Sequence, residues 1–94
     1  MEFETLAKLY QYFDDLAEQE ASSDTLFASS YIRGFLGLAA CKFGDEQQIL
    51  SLALAATVSE KLHEARAELT PKDRVIVNQY WQEISLAFHS VEPI

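Results

Sequence analysis

One pair of residues has the spacing of a metal-binding motif. Glu60 and His63 match Glu-x-x-His, which in ferritin-like helical bundles directs a carboxylate and an imidazole at an iron or manganese ion. Such a site requires a second copy of the motif and two further glutamates, but Leu86 stands three positions before the other histidine, His89. We therefore predict a solvated helix face at Glu60 and His63, with no metal site and no cofactor.

Cys41 is the single cysteine, so the chain cannot form an intramolecular disulfide or a cysteine-based zinc site. A neighbouring imidazole from His63 or His89 would favour the reactive thiolate, but the sequence does not place these residues together. A buried free cysteine that fills apolar space is the ordinary alternative, and we predict it here. Cys41 also belongs to a line of small residues at helical spacing, where another backbone can approach closely: Ser30, Gly34, Gly37 and Cys41.

Arg33 is unusual because it stands in a broadly apolar segment. A guanidinium in such a segment must pair with a carboxylate, bond to a carbonyl or reach solvent. Pairing with a carboxylate of another helix is the simpler interpretation. The alternative is a binding site for a small anionic ligand, formed by Tyr31, Arg33 and Trp81. We predict no catalytic residue, since the sequence has no phosphate loop or nucleophile motif.

Acidic side chains concentrate around the first predicted turn between helices. Their negative potential could attract a basic protein partner, although solvated charges at helix ends are the ordinary alternative. The candidate partner-binding residues are Asp14, Asp15, Glu18, Glu20 and Asp24.

The composition limits the classes of function. Fifteen acidic residues against seven lysines and arginines give a formal charge of −8, which disfavours binding to nucleic acid. The longest apolar stretch is interrupted by Ser29, Ser30 and Arg33, so we predict no membrane span. The N-terminal Met-Glu-Phe-Glu does not resemble a secretory signal, and with the lone cysteine it favours a cytoplasmic protein.

The elements that would position these residues are predicted to be helices, because apolar residues recur at three- and four-residue spacing. Helix boundaries follow from capping signals, of which Thr70-Pro71 is the clearest. We predict a single all-α domain spanning residues 1–94, folded as an up-down-up-down four-helix bundle. The predicted helices are at about 2–20, 25–42, 46–68 and 71–89.

Three blocks of sequence carry a resemblance to a known family. They are Asp24 to Gly34, Thr57-Val58-Ser59, and Leu69 to Asp73 with Val77 and Trp81 beyond. In these blocks the chain resembles the YfcL family of small bacterial proteins. The resemblance implies a small helical bacterial domain and transfers no catalytic residues.

Two classes of function follow from these features. The first is a non-enzymatic protein-interaction module, because the second and third helices have more apolar surface than a core of this size needs. Its partner would be an unidentified, basic protein or, in a homodimer, a second copy of the chain. The second is a binder of a small anionic ligand, or an enzyme, with a pocket around Tyr31, Arg33 and the aromatic residues of the fourth helix.

Overall fold

The structure, a computed structural model, describes residues 3–88. Four α-helices and one turn of 3-10 helix account for most of these residues, and no strand occurs among them. The all-α prediction is therefore confirmed. The helices are α1 (Leu6–Glu18), α2 (Ser23–Ala40), α3 (Leu52–Glu64) and α4 (Pro71–Ser85), with the 3-10 turn at Arg66–Glu68.

Each helix begins at a serine or threonine whose hydroxyl accepts a hydrogen bond from a backbone amide of the first turn. These N-caps satisfy N–H groups that have no partner within the helix. The Thr70 cap, followed by Pro71 at the first helical position, confirms the predicted start of α4. The other caps are Thr5, Ser22 and Ser51.

The predicted start of the third helix at residue 46 is wrong, because α3 begins only at Leu52. Asp45 does accept a hydrogen bond from the Gln47 amide, as an N-cap would. The backbone that follows Asp45 does not form a helix, because its carbonyl groups accept hydrogen bonds from the first turn of α1. The Leu6 and Ala7 amides donate to the carbonyls of Gln48 and Glu46 at 2.8 and 2.7 Å.

The other predicted helices are close to the observed ones but differ at their ends. The first was predicted to extend to residue 20, but α1 ends at Glu18, and Glu20 has a left-handed backbone with φ of 56°. The second was predicted at 25–42 and spans Ser23–Ala40. The third and fourth end earlier than predicted, at Glu64 and Ser85, and the predicted helix residues 2 and 89 lie outside the described part of the chain.

Helix α2 is the centre of the fold, because it packs most extensively against α4 and α3 and also against α1. Ile32, Leu36 and Ala39 of α2 are completely buried. They meet apolar side chains from the other three helices and from the segment between α2 and α3. The largest of these fully buried side chains are Leu6, Leu9, Leu50, Leu54, Val58, Val77 and Ile84.

The up-down-up-down arrangement is not confirmed. The first turn of α2, at Thr25, lies beside Tyr80 and Glu83 near the end of α4. Further along α2, Tyr31 is within electrostatic reach of Glu68, which precedes α4. Helices α2 and α4 therefore run in opposite directions, whereas an up-down-up-down order would make them parallel. Across residues 3–88, none of the helices combines the length and apolarity needed to cross a lipid bilayer.

Candidate functional site

Arg33 is directed from α2 toward α1. Its guanidinium forms an ion pair with Asp14, donates a hydrogen bond to the Tyr10 carbonyl at 3.4 Å, and lies 4.7 Å from the centre of the Tyr10 ring. The predicted pairing with a carboxylate of another helix is confirmed. Burial raises the pKa of the Tyr10 hydroxyl, and the positive charge of Arg33 opposes part of that effect.

Tyr31 lies on a different side of α2, since residues two apart on a helix point about 200° apart. Its ring packs against Phe27 and Phe35 of the same helix, with ring centres 6.0 and 5.0 Å away. Its hydroxyl oxygen is buried and has no hydrogen-bond partner in the described structure. Burial first, and the negative charge of Glu68 second, raise the pKa of this hydroxyl.

Trp81, the third member of the predicted anion site, packs between α4 and α3. Its indole N–H donates to the Ser59 hydroxyl at 2.9 Å, and its ring makes an edge contact with Phe88 at 5.5 Å. Tyr31, Arg33 and Trp81 thus each have separate partners. An anion that bound Arg33 would compete with Asp14 for the guanidinium, and the anion site stays a prediction.

Cys41 corrects a prediction, because it is exposed and not buried. Its thiol donates to the Gly37 carbonyl at 3.3 Å, one turn earlier in α2. In the line of small residues to which it belongs, Ser30, Gly34 and Cys41 are exposed and no other helix among residues 3–88 covers them, whereas Gly37 is half-buried beside α1. A Cβ built on Gly34 would have no atom within 4 Å, and one on Gly37 would meet only the Tyr10 hydroxyl, at 3.9 Å.

Helix α2 consequently has an uncovered, uncharged side, which we call the outer face. Two large apolar residues and three small residues lie along it at helical spacing. Leu38 is 63% exposed and Phe27 37%. Arg33 is the only charged residue between Asp24 and Lys42, and it is directed to α1. The outer face consists of Phe27, Ser30, Gly34, Leu38 and Cys41.

Exposed apolar residues continue beyond the end of α2. Phe43, Ile49 and Leu52 are 44%, 37% and 53% exposed. All three lie in or beside the connection to α3, which is held against the last turn of α2 by a hydrogen bond from the Gln48 side chain to the Ala40 carbonyl. The exposure of these three residues was not predicted from the sequence. The signal that could have indicated it is that α2 is apolar on nearly every side, because such a helix needs an additional surface to cover it.

The predicted cluster of acids divides into groups with different surroundings. Asp14 is paired with Arg33, and Asp15 accepts a hydrogen bond from the Gln11 side chain at 3.0 Å. Glu18 and Glu20 are exposed at the end of α1 and in the turn. Asp24 belongs instead to a cleft between α2 and α4.

That cleft has a volume of about 210 Å³ and is open to solvent. Helix α2 contributes a carboxylate, a hydroxyl and a methyl group, and α4 contributes an isoleucine, an amide, a phenol and a second carboxylate. Burial, followed by the neighbouring Tyr12 and Glu83, raises the pKa of the Tyr80 hydroxyl. The lining residues are Asp24, Thr25, Ala28, Ile76, Gln79, Tyr80 and Glu83.

The Glu-x-x-His pair faces solvent, as predicted. Glu60 and His63 are both exposed, whereas Leu62 between them is buried. Within residues 3–88 no group of three histidine, cysteine or carboxylate side chains is arranged to hold a metal ion.

Comparison with known proteins identifies the family. The pattern described as "YfcL protein" matches residues 1–86. The chain belongs to the YfcL family. Among curated proteins it is similar to one from Escherichia coli K12 named "Uncharacterized protein YfcL", with 38% identity over 66 residues that cover 68% of this chain and 72% of the relative. No solved structure shows significant similarity to the chain. The name of the relative states no substrate or partner, so the family membership supports a bacterial helical protein and assigns no activity.

Proposed function

We propose that this YfcL-family chain is a non-catalytic protein-interaction module that binds a second copy of itself through the outer face of α2. The observation that carries the proposal is the uncharged, exposed surface along four turns of the central helix. A helix of a monomeric protein normally presents charged or polar residues to water. An exposed apolar face of this kind is typical of a contact surface.

The small residues of the outer face favour a helix as the occupant. The distance between packed helices, about 8–10 Å, depends on the side chains at the contact. Ser30, Gly34 and Cys41 permit a close approach, while Phe27 and Leu38 supply apolar area on either side of them. A twofold dimer uses the same surface on both subunits, so the outer face of one α2 would pack on that of the other.

Electrostatics also agree with contact at this face. The chain has a formal charge of −8, so two copies repel each other at most orientations. The outer face has no charged side chain, whereas the acids concentrate near the turn between α1 and α2. Contact along the middle and end of α2 therefore adds the least repulsion. The cytoplasmic location predicted above is part of this proposal.

Sedimentation velocity over a range of protein concentrations tests the proposal. The wild-type chain is expected to shift from monomer to dimer as its concentration rises. Leu38→Glu places a carboxylate on the outer face, and we expect it to weaken dimerisation about tenfold or more, which corresponds to about 1.4 kcal/mol. Gly34→Glu should act in the same direction because the position is exposed and open.

Gln82→Glu is the matched control, since it adds the same charge at an exposed position of α4. It should leave the dimerisation constant within about twofold of the wild-type value, the change expected from a distant surface charge. A wild-type chain that stays monomeric at every concentration would contradict the proposal. Equal weakening by Gln82→Glu and Leu38→Glu would show that net charge, and not the outer face, controls association.

A further inference from the structure

We propose that the cleft between α2 and α4 binds a lysine side chain from a basic segment of a partner protein, holding its ammonium group between Asp24 and Glu83. The inference rests on the proposed function as a protein-interaction module and adds a second surface with a different partner. It concerns the opposite end of α2 from Leu38 and Cys41.

The first argument is charge. Two carboxylates from different helices line one small cleft, and no lysine or arginine lines it among the described residues. Lys72 lies on the same side of α4, but it is eleven positions before Glu83, a distance of about 16 Å along a helix. A cationic ligand would therefore supply a charge partner that the chain itself does not.

The second argument is shape. Ala28 and Ile76 give the cleft apolar walls, against which the methylene groups of a lysine can pack while the ammonium stays at a polar end. A volume of about 210 Å³ suits one long side chain and is too small for a folded segment. The acidic turn beside the cleft would accommodate the remaining positive charges of the segment.

The third argument is hydrogen bonding. An ammonium group has three donors. Besides the two carboxylates, the cleft offers the Thr25 hydroxyl and the Gln79 amide oxygen as acceptors.

The structure also separates the acids that would bind from those that would only attract. Asp14 forms an ion pair with Arg33, and Asp15 accepts a hydrogen bond from the Gln11 side chain. Glu18 and Glu20 are exposed outside the cleft and would increase the rate of encounter with a basic segment. Asp24 and Glu83 would fix its position. Glu83 is far from the others in sequence and was not among the predicted residues.

Isothermal titration with a pentalysine peptide at low ionic strength tests this inference. Asp24→Asn and Glu83→Gln are each expected to weaken binding about tenfold, as for one partner of a partly desolvated charge pair. Glu18→Gln and Glu20→Gln remove the same charge outside the cleft, and each should weaken binding about twofold or less, because exposed charges are screened. Gln79→Lys should abolish binding by placing a cation in the cleft.

The inference would be overturned if the wild-type chain did not bind the peptide. Equal weakening by all four neutralised variants would also overturn it, because it would indicate general attraction only. Spermidine has the same primary ammonium chemistry but no peptide backbone. We expect it to bind more weakly than the peptide and to compete with it. Spermidine binding at the cleft as tight as that of the peptide would overturn the assignment to a protein segment.

The same variants distinguish this inference from the proposed function. Glu83 and Gln79 are on α4, and Asp24 is at the opposite end of α2 from Leu38 and Cys41, so the sedimentation of the cleft variants should match that of the wild-type chain. Loss of peptide binding with dimerisation intact is the expected result for Gln79→Lys. A wild-type chain that dimerises but does not bind the peptide refutes the cleft alone, whereas one that binds the peptide but stays monomeric refutes the dimer alone.

Discussion

The contacts of Arg33 with α1 explain why a charged residue stands in the apolar sequence of α2. Its guanidinium has an ion-pair partner, a carbonyl acceptor and an aromatic ring, all supplied by α1. The pair is partly exposed, with side-chain exposures of 39% for Arg33 and 55% for Asp14, so water screens much of its attraction. Its main contribution is to orient α1 against α2.

A double-mutant cycle with Asp14→Asn and Arg33→Met measures this contribution. The coupling free energy should be about 0.2–1 kcal/mol, the range for exposed ion pairs. Arg33→Lys should lose part of the stability despite keeping the charge, because an ammonium lacks the planar group that contacts the Tyr10 ring. Denaturant unfolding gives the values. A stability of Arg33→Lys equal to that of wild type would show that charge alone matters.

Tyr80 gives a prediction for high pH. Burial raises the pKa of its hydroxyl in the folded chain, whereas the unfolded chain deprotonates it near the ordinary value of about 10. Folding thus favours the neutral form, and its contribution to stability is complete below about pH 10 and is lost as the pH rises further. Tyr10 and Tyr31 act in the same direction.

The expected observation is that the thermal midpoint of the wild-type chain falls above pH 10. Tyr80→Phe removes one of the responsible groups, so its midpoint should fall less steeply over the same range. Comparison of the two proteins at pH 7 controls for any change in packing. Identical pH dependence in both proteins above pH 10 would contradict the role of Tyr80.

Among the helices, boundaries that depend on neighbouring residues could be predicted from the sequence, whereas boundaries and sites that depend on long-range contacts could not. Thr70 and Pro71 define the start of α4 within neighbouring residues, and the structure agrees. The start of α3 was predicted wrongly because Glu46 and Gln48 bond to α1, about forty positions earlier in the chain. Glu83 joins Asp24 through the packing of α4 on α2, which has no local signature.

Substitution of glycines tests whether the outer face of α2 is exposed to solvent. Gly34 is helical and has open space where a Cβ would lie. Gly34→Ala should therefore raise the free energy of unfolding by about 0.5–1 kcal/mol, the difference in helix propensity. Denaturant unfolding at a concentration where the chain is monomeric measures it.

Gly44→Ala is the matched comparison and should have the opposite sign. Gly44 has a φ of +139°, which residues with a side chain rarely adopt, so the alanine strains the turn after α2. Destabilisation by Gly34→Ala would mean that another part of the chain covers the outer face, which would contradict its exposure to solvent.

For the whole molecule, composition predicted the acidic character and periodicity predicted four helices, but the predicted up-down-up-down arrangement of those helices is not confirmed. Helix α2 is apolar on nearly every side, so its sequence did not distinguish the sides covered by α1, α3 and α4 from the uncovered one. The exposure of Leu38, Gly34 and Cys41 emerged only from the packing. That exposure is the basis of the proposed self-association.

Cys41 provides the most direct test of that claim, because it is exposed on the outer face and is the single thiol of the chain. Its reaction rate with a small thiol reagent can be measured at low and at high concentrations of the native protein. We predict that the rate falls as the wild-type concentration rises, and that in Leu38→Glu the same fall requires a concentration about tenfold higher or more. A wild-type rate that is the same at all concentrations would contradict self-association through the outer face.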